Sequence, residues 1–129
     1  MMLWPHNPKT VHAPVGAYSH AIEVPPGARW LFISGQVALT PDGKIPEGFA
    51  EQCQLAWTNL SNVLKAGGMD RRDLVKLTVF MLREEDLPAF REVRDRFLEG
   101  WHPATTLVFV RALARPQWLI EIEGVAARS

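Results

Sequence analysis

The chain has a single cysteine, Cys53, in 129 residues. No internal disulfide can form, and a lone thiol suits a reducing compartment, so the expected location is the cytoplasm. Charge of neither sign prevails, because 14 Lys and Arg offset 14 Asp and Glu. That balance gives no electrostatic ground for a nucleic-acid or membrane partner. No apolar run approaches the roughly 20 residues that span a bilayer. The opening MMLWPHNPKT lacks a basic region followed by an apolar stretch, so no secretory signal is expected. His6, His12, His20 and His102 are scattered without metal-ligand spacing. There is also no phosphate loop, nucleophile elbow or dinucleotide fingerprint. Neither a metal nor a cofactor is expected.

What is present is an ordinary globular composition, 47% hydrophobic and 22% charged, at a length that suits one domain over 1–129. Pro5, Pro8 and Pro14 make 1–16 an extended lead-in. YSHAIEV (18–24) and RWLFISGQV (29–37) read as strands joined by PPGA (25–28), which predicts a hairpin. From Glu47 the period changes. Phe49, Cys53, Ala56, Leu60, Val63 and Leu64 recur at steps of three and four and mark one apolar helix face, closed by AGG at 66–68. DLVKLTVFML (73–82) predicts a strand. A second helix is expected over about 84–99, with Leu87, Phe90, Val93 and Phe97 inward and Arg91, Glu92, Arg94 and Asp95 on a solvated face. Two last strands, about 105–113 and 118–127, form a closing pair around ARPQ (114–117).

The order is ββαβαββ, an α+β layered domain with two helices on one face of one sheet. Its strands are apolar on both faces. In 73–82, Val75, Leu77, Val79 and Met81 oppose Phe80 and Leu82. Two helices cover only one face, so the other calls for a second copy of the chain.

Few residues point to chemistry. Tyr18, the only tyrosine, opens the first predicted strand. Ser34-Gly35 exposes backbone and a hydroxyl at a strand's end, as either a ligand approach or a simple bend. Thr105 and Thr106 stand at the mouth of another strand. In the last strand Glu121 and Glu123 share the face opposite Ile120 and Ile122. Glu121 reads as the more peripheral, reaching solvent or an arginine. Glu123, deeper and followed by GVA, reads either as an acid that shuttles a proton or, like Glu121, as a carboxylate that reaches solvent or pairs with an arginine. Cys53 falls on the inner helix face and reads as a small core residue.

The order VGAYSHA, ISGQV, TPDGKIP, LVKLTVFM, HPATT and EIEGVA resembles the RidA family, also called YjgF, the reactive intermediate deaminases. The match runs from about Pro14 to Ala126. The resemblance implies a chorismate-mutase-like fold, a homotrimer whose sheets form a central barrel, and small-molecule clefts between subunits. It also implies hydrolysis of imines or enamines to carbonyl compounds and ammonia, without metal or cofactor. It makes Tyr18 the cleft aromatic, Ser34 with Gly35 a ligand contact and Glu123 the acid that positions water.

Where the family presents a carboxylate-clamping arginine, this chain has Thr105 within Pro103-Ala104-Thr105-Thr106; Leu107 replaces a frequent cysteine. A charge-assisted bond is worth roughly 1.5–3 kcal/mol, so its loss costs up to about a hundredfold in transition-state binding. The expected substrate therefore lacks a carboxylate at that place, with Thr105 and Thr106 meeting a neutral group. The alternative is a non-catalytic trimer that binds a small ligand. Arg111 lies six residues beyond Thr105, roughly 20 Å along a strand. A substitute clamp from Arg111, Arg29 or Arg115 would have to come from a neighbouring subunit. Ribonuclease activity, attributed to some relatives by name, finds no basic-aromatic platform here.

Overall fold

The computed structural model describes residues 3–129; positions 1 and 2 of the expected lead-in lie outside the described residues. Its elements are β1 (Trp4–His6), β2 (Ala21–Glu23), β3 (Arg29–Val37), α1 (Phe49–Ala66), β4 (Leu74–Met81), α2 (Leu87–Leu98), β5 (Ala104–Phe109) and β6 (Ile120–Arg128). The main sheet runs β3-β6-β4-β5. β4 and β5 are parallel, and β6 is antiparallel to both β3 and β4. From β2 onward the order is ββαβαββ, an α+β fold of two helices on a mixed sheet, as the sequence predicts.

The pairing differs from expectation in two places. The 18–24 and 29–37 segments form no hairpin. β2 pairs with β1, Trp4 opposite Glu23 and His6 opposite Ala21, so the lead-in itself contributes a strand. Two consecutive prolines, Pro25 and Pro26, deprive the connection of backbone donors. β3 meanwhile finds a nine-residue partner in β6, from Arg29 opposite Arg128 to Val37 opposite Glu121. The last two strands are not neighbours either, because β6 inserts between β3 and β4. β5 lies parallel to β4, joined by α2 as the crossover that parallel pairing requires. β5 also stops short of 113: Val110 N–H makes a last bond to Met81 at 2.8 Å, and β4 supplies no strand residue beyond Met81.

The core lies between the helices and one face of the sheet. Leu77, Val79 and Met81 of β4 and Ile120, Ile122 and Ala126 of β6 are buried there. They pack with Phe49, Cys53, Ala56, Leu60 and Leu64 of α1 and with Phe90, Val93 and Leu98 of α2. Trp57 links the helices, stacking on Phe97 at 5.7 Å between ring centroids. Gly68, at φ 71, takes the left-handed turn after α1. A register shift at Val75 turns Leu74 into the core in its place. The opposite face stays open. Phe32, 77% exposed, aligns there with Val125, and Val108 with Phe80.

One buried polar group ties α1 to the approach of β6. The Gln52 amide donates to Pro46 O (2.9 Å) and Gln117 O (2.8 Å) and accepts from Leu119 N–H (2.8 Å). Gln52→Leu keeps the volume but strips partners from three backbone groups. Each unsatisfied group costs about 1–3 kcal/mol, so urea denaturation is expected to show a loss of at least about 2 kcal/mol, with an unchanged slope.

Candidate active site

The first cluster forms at the mouth of β5. Ser19 bridges to Ala104, its N–H donates to Pro103 O at 3.2 Å, and its hydroxyl donates to His102 O. This lays the GAYSH loop beside Thr105. Tyr18 meets His20 edge-on at 5.7 Å, and its hydroxyl accepts from Val15 N–H at 3.3 Å. The loop is closed by His20, whose ring bonds His12 O at 2.6 Å. Thr105 Oγ1 donates to Pro103 O at 3.0 Å. Thr106 Oγ1 accepts from Lys76 Nζ at 2.7 Å. Thr105 aligns with Leu77 and Thr106 with Thr78, so the two hydroxyls face opposite sides of the sheet and do not act on one group together.

The second cluster lies on β3. The register shifts between Ile33 and Gln36, leaving Ser34 and Gly35 without partners on β6 in a bulge. Gln36 Nε2 donates to Ser34 O at 3.0 Å. The carboxylate of Glu121 lies over Gly35, and a methyl built on Gly35 would overlap it. The glycine is required by this close approach. Glu123 is exposed; it is the β6 residue between Gly124 and Ile122 that the bulge spans, opposite Thr78 on β4. The side chain that reaches over Gly35 is that of Glu121, which aligns with Val37. The structure thus brings Glu121, and not Glu123, to Ser34-Gly35. Strand alternation puts both acids on one face, but only the bulge decides which of them meets the glycine.

These two clusters are far apart in one chain. β3 and β5 are the outer strands of the four, three strand spacings or about 14 Å from each other. Tyr18 and Thr105 stand at one edge of the sheet and Ser34 and Gly35 at the other, with Glu121 of the adjoining β6 reaching over Gly35. Among the described residues, one copy does not bring the two clusters into a single pocket.

Arg94 is the residue the sequence reading misplaces. Far from being solvated with Arg91 and Glu92, its side chain is only 16% exposed. Its guanidinium carbon lies 5.8 Å from the centre of the Phe90 ring, and its Nε donates to Asp95 Oδ1 at 3.0 Å. Being four residues after Phe90, it flanks the apolar face of α2, and that spacing is the signal that could have found it. The arginines considered from sequence are engaged elsewhere or exposed. Arg29 donates to Gly67 O at 3.3 Å, Arg115 lies 5.0 Å over the Trp118 ring, and Arg111 is exposed. Cys53 is buried, and burial pushes its thiol up to about 12, which leaves it no nucleophile near neutral pH.

An α+β domain with a carboxylate seated over a strand bulge and an aromatic loop at the opposite sheet edge defines the class. The sequence profile of the family described as Endoribonuclease L-PSP matches residues 9–128, and the chain belongs to that family, the RidA/YjgF proteins. The mouse 2-iminobutanoate/2-iminopropanoate deaminase is 36% identical over 118 residues, covering 90% of this chain and 84% of its own. Among solved structures, YyfB of Yersinia pestis, a Rid protein of unknown function, is 34% identical with TM-score 0.90, covering 99% and 100% of the two chains. Escherichia coli TdcF, solved with bound serine, is 30% identical with TM-score 0.74, covering 90% and 91%.

Gly35→Ala is expected to push the Glu121 carboxylate off the bulge while the strands stay paired. A crystal structure of the variant checks this, and a carboxylate left in place would mean that Gly35 does not set its position.

Proposed function

We propose that the protein hydrolyses a small reactive imine or enamine, with Glu121 as the acid, in clefts between copies of the chain. The carrying observation is the Glu121 carboxylate held over Gly35 beside Ser34. The deaminase names of the relatives point to the same chemistry. In the reaction, water adds across C=N and gives a carbinolamine. Its nitrogen takes a proton, the C–N bond breaks, ammonia leaves, and loss of the hydroxyl proton forms the carbonyl. Glu121 accepts a proton from the attacking water and returns one to the departing nitrogen. The Tyr18 ring at the opposite wall packs against the ligand.

Two features support the shared cleft. The two clusters lie at opposite edges of the sheet, as the halves of a heterologous interface do. The open face carries Trp30, 50% exposed, beside Phe32, 77% exposed. Burying one such side chain is worth about 1.5–3 kcal/mol. A closed ring of three copies, the family's assembly, brings one edge to the other. Phe32→Glu is expected to shift light scattering toward the single-chain mass, and an unchanged mass would count against this interface.

Thr105 in place of a clamp favours a second reading, a ligand-binding trimer without turnover. An imine assay separates the two. Imines are generated by an amino-acid oxidase, or supplied as neutral compounds, with semicarbazide as the competing trap. The native protein is expected to outrun the trap. Glu121→Gln should lose about 10²–10⁴-fold, and Glu123→Gln only a few-fold. Thr105→Arg should gain rate on 2-imino acids if that place still faces the ligand. No turnover across the panel would leave the binder, and a dead Glu123→Gln beside an active Glu121→Gln would reverse the assignment of the acid.

A further inference from the structure

The described residues hold a cation poised toward the GAYSH loop, on a helix rather than on β5, which has no basic residue. Arg94 Nη1 lies 3.8 Å from the point where a side chain of Gly16 would begin, and the Tyr18 ring lies 3.8 Å from that same point. Arg94 lines a surface hollow of about 430 Å³ together with Gly16, Ala17, Asp95, Leu98, Gly100 and His102, the Asp95 carboxylate being the one bound to its Nε. This volume falls in the range of small-ligand sites. We infer that Arg94, on α2, is the residue that receives an anionic group of the ligand, whose charged end enters beside Gly16 and Tyr18.

Several observations support the inference. A guanidinium carries five N–H donors. Among the described residues only the Nε of Arg94 has a protein partner, the Asp95 carboxylate, and its two η nitrogens have none. Those η groups form the fork that matches a carboxylate in two-pronged fashion. The Phe90 face and Asp95 hold the plane of the guanidinium, so little rotamer freedom remains to be lost when a ligand arrives. Gly16 keeps the approach clear, since any side chain there would enter the space between Arg94 and Tyr18. Thr105 is tied to this loop through Ser19 and Pro103. An arginine lost from β5 is thus offset by one on α2, facing the same loop. The inference rests on the proposed site for the place of the ligand, but not on turnover.

Calorimetric titration of the full-length protein with 2-oxobutanoate and with its neutral methyl ester tests it. The wild type is expected to bind the acid at least about tenfold more tightly than the ester. Arg94→Gln should weaken the acid by about 10–100-fold and leave the ester unchanged, with Arg94→Lys intermediate. Gly16→Leu should block the acid from the loop side while Arg94 remains. Lys76→Gln should have no effect; Lys76 is the other cation nearby, bonded to Thr106. A purely structural role for Arg94 would lower thermal stability without changing the acid-to-ester ratio. The inference is overturned if Arg94→Gln keeps that ratio, if Lys76→Gln alone abolishes it, or if the wild type does not prefer the acid. Acid binding through Arg94 without ammonia release would sink the hydrolase reading and leave this one standing. Turnover of neutral imines with no acid preference would do the reverse.

Discussion

The insertion of β6 between β3 and β4 is the constraint on which the rest of the structure depends. A strand in that position is paired on both sides, so its side chains are committed to one face or the other. Ile120, Ile122 and Ala126 go beneath the helices and close the core. Glu121 and Glu123 are thereby forced onto the open face, where a charged residue in an interior strand needs a specific reason to stay. For Glu121 that reason is the bulge in β3, which leaves Gly35 without a pairing partner and without a side chain beneath the carboxylate. A slip of one residue in this register would exchange core and acid along the whole strand.

The same sheet order separates the remaining polar residues. With β5 at one edge and β3 at the other, the loop carrying Tyr18 is fixed to His102, Pro103 and Ala104, while the acid sits on β6, two strand spacings from β5, and leans over the far edge strand β3. A single chain therefore presents two half-sites and an uncovered apolar face. The proposed ring of copies answers both features at once. It covers Phe32 and its neighbours, and it lets the acid of one copy face the aromatic loop of the next. Arg94 belongs to the loop side of that arrangement. Charge recognition and acid–base chemistry would then come from different subunits, and neither half would work alone.

Much of the fold is legible in the sequence because it rests on local periodicity. The α1 face from Phe49 to Leu64 and the alternation of Leu77, Val79 and Met81 can be read directly. Partners of strands cannot, because pairing is decided by distant segments. The expected hairpin failed for that reason: β3 found β6, and the short β2 was left to β1. In the site, Tyr18, Ser34 and Gly35 were visible as unusual residues, but not where they lie: Tyr18 is in the loop before β2, and Ser34-Gly35 form a bulge inside β3 rather than its end. The choice between Glu121 and Glu123 was not visible, since both satisfy the same alternation and only a one-residue bulge tells them apart. Arg94 was hidden among charged neighbours on a helix whose outer face is otherwise solvated. Its burial depends on the loop that folds against it, a contact between residues nearly eighty positions apart.

The central claim, that the site is completed across two copies, is tested most directly by a crystal structure of the assembled protein. The distance to measure runs from the Tyr18 hydroxyl of one copy to the Glu121 carboxylate of its neighbour. A small-ligand pocket of roughly 300–1,000 Å³ has a width on the order of 7–10 Å, and the two groups are predicted to face each other across that span. If every Glu121 instead opens to solvent, with no Tyr18 of another copy within about twice that width, the account is contradicted.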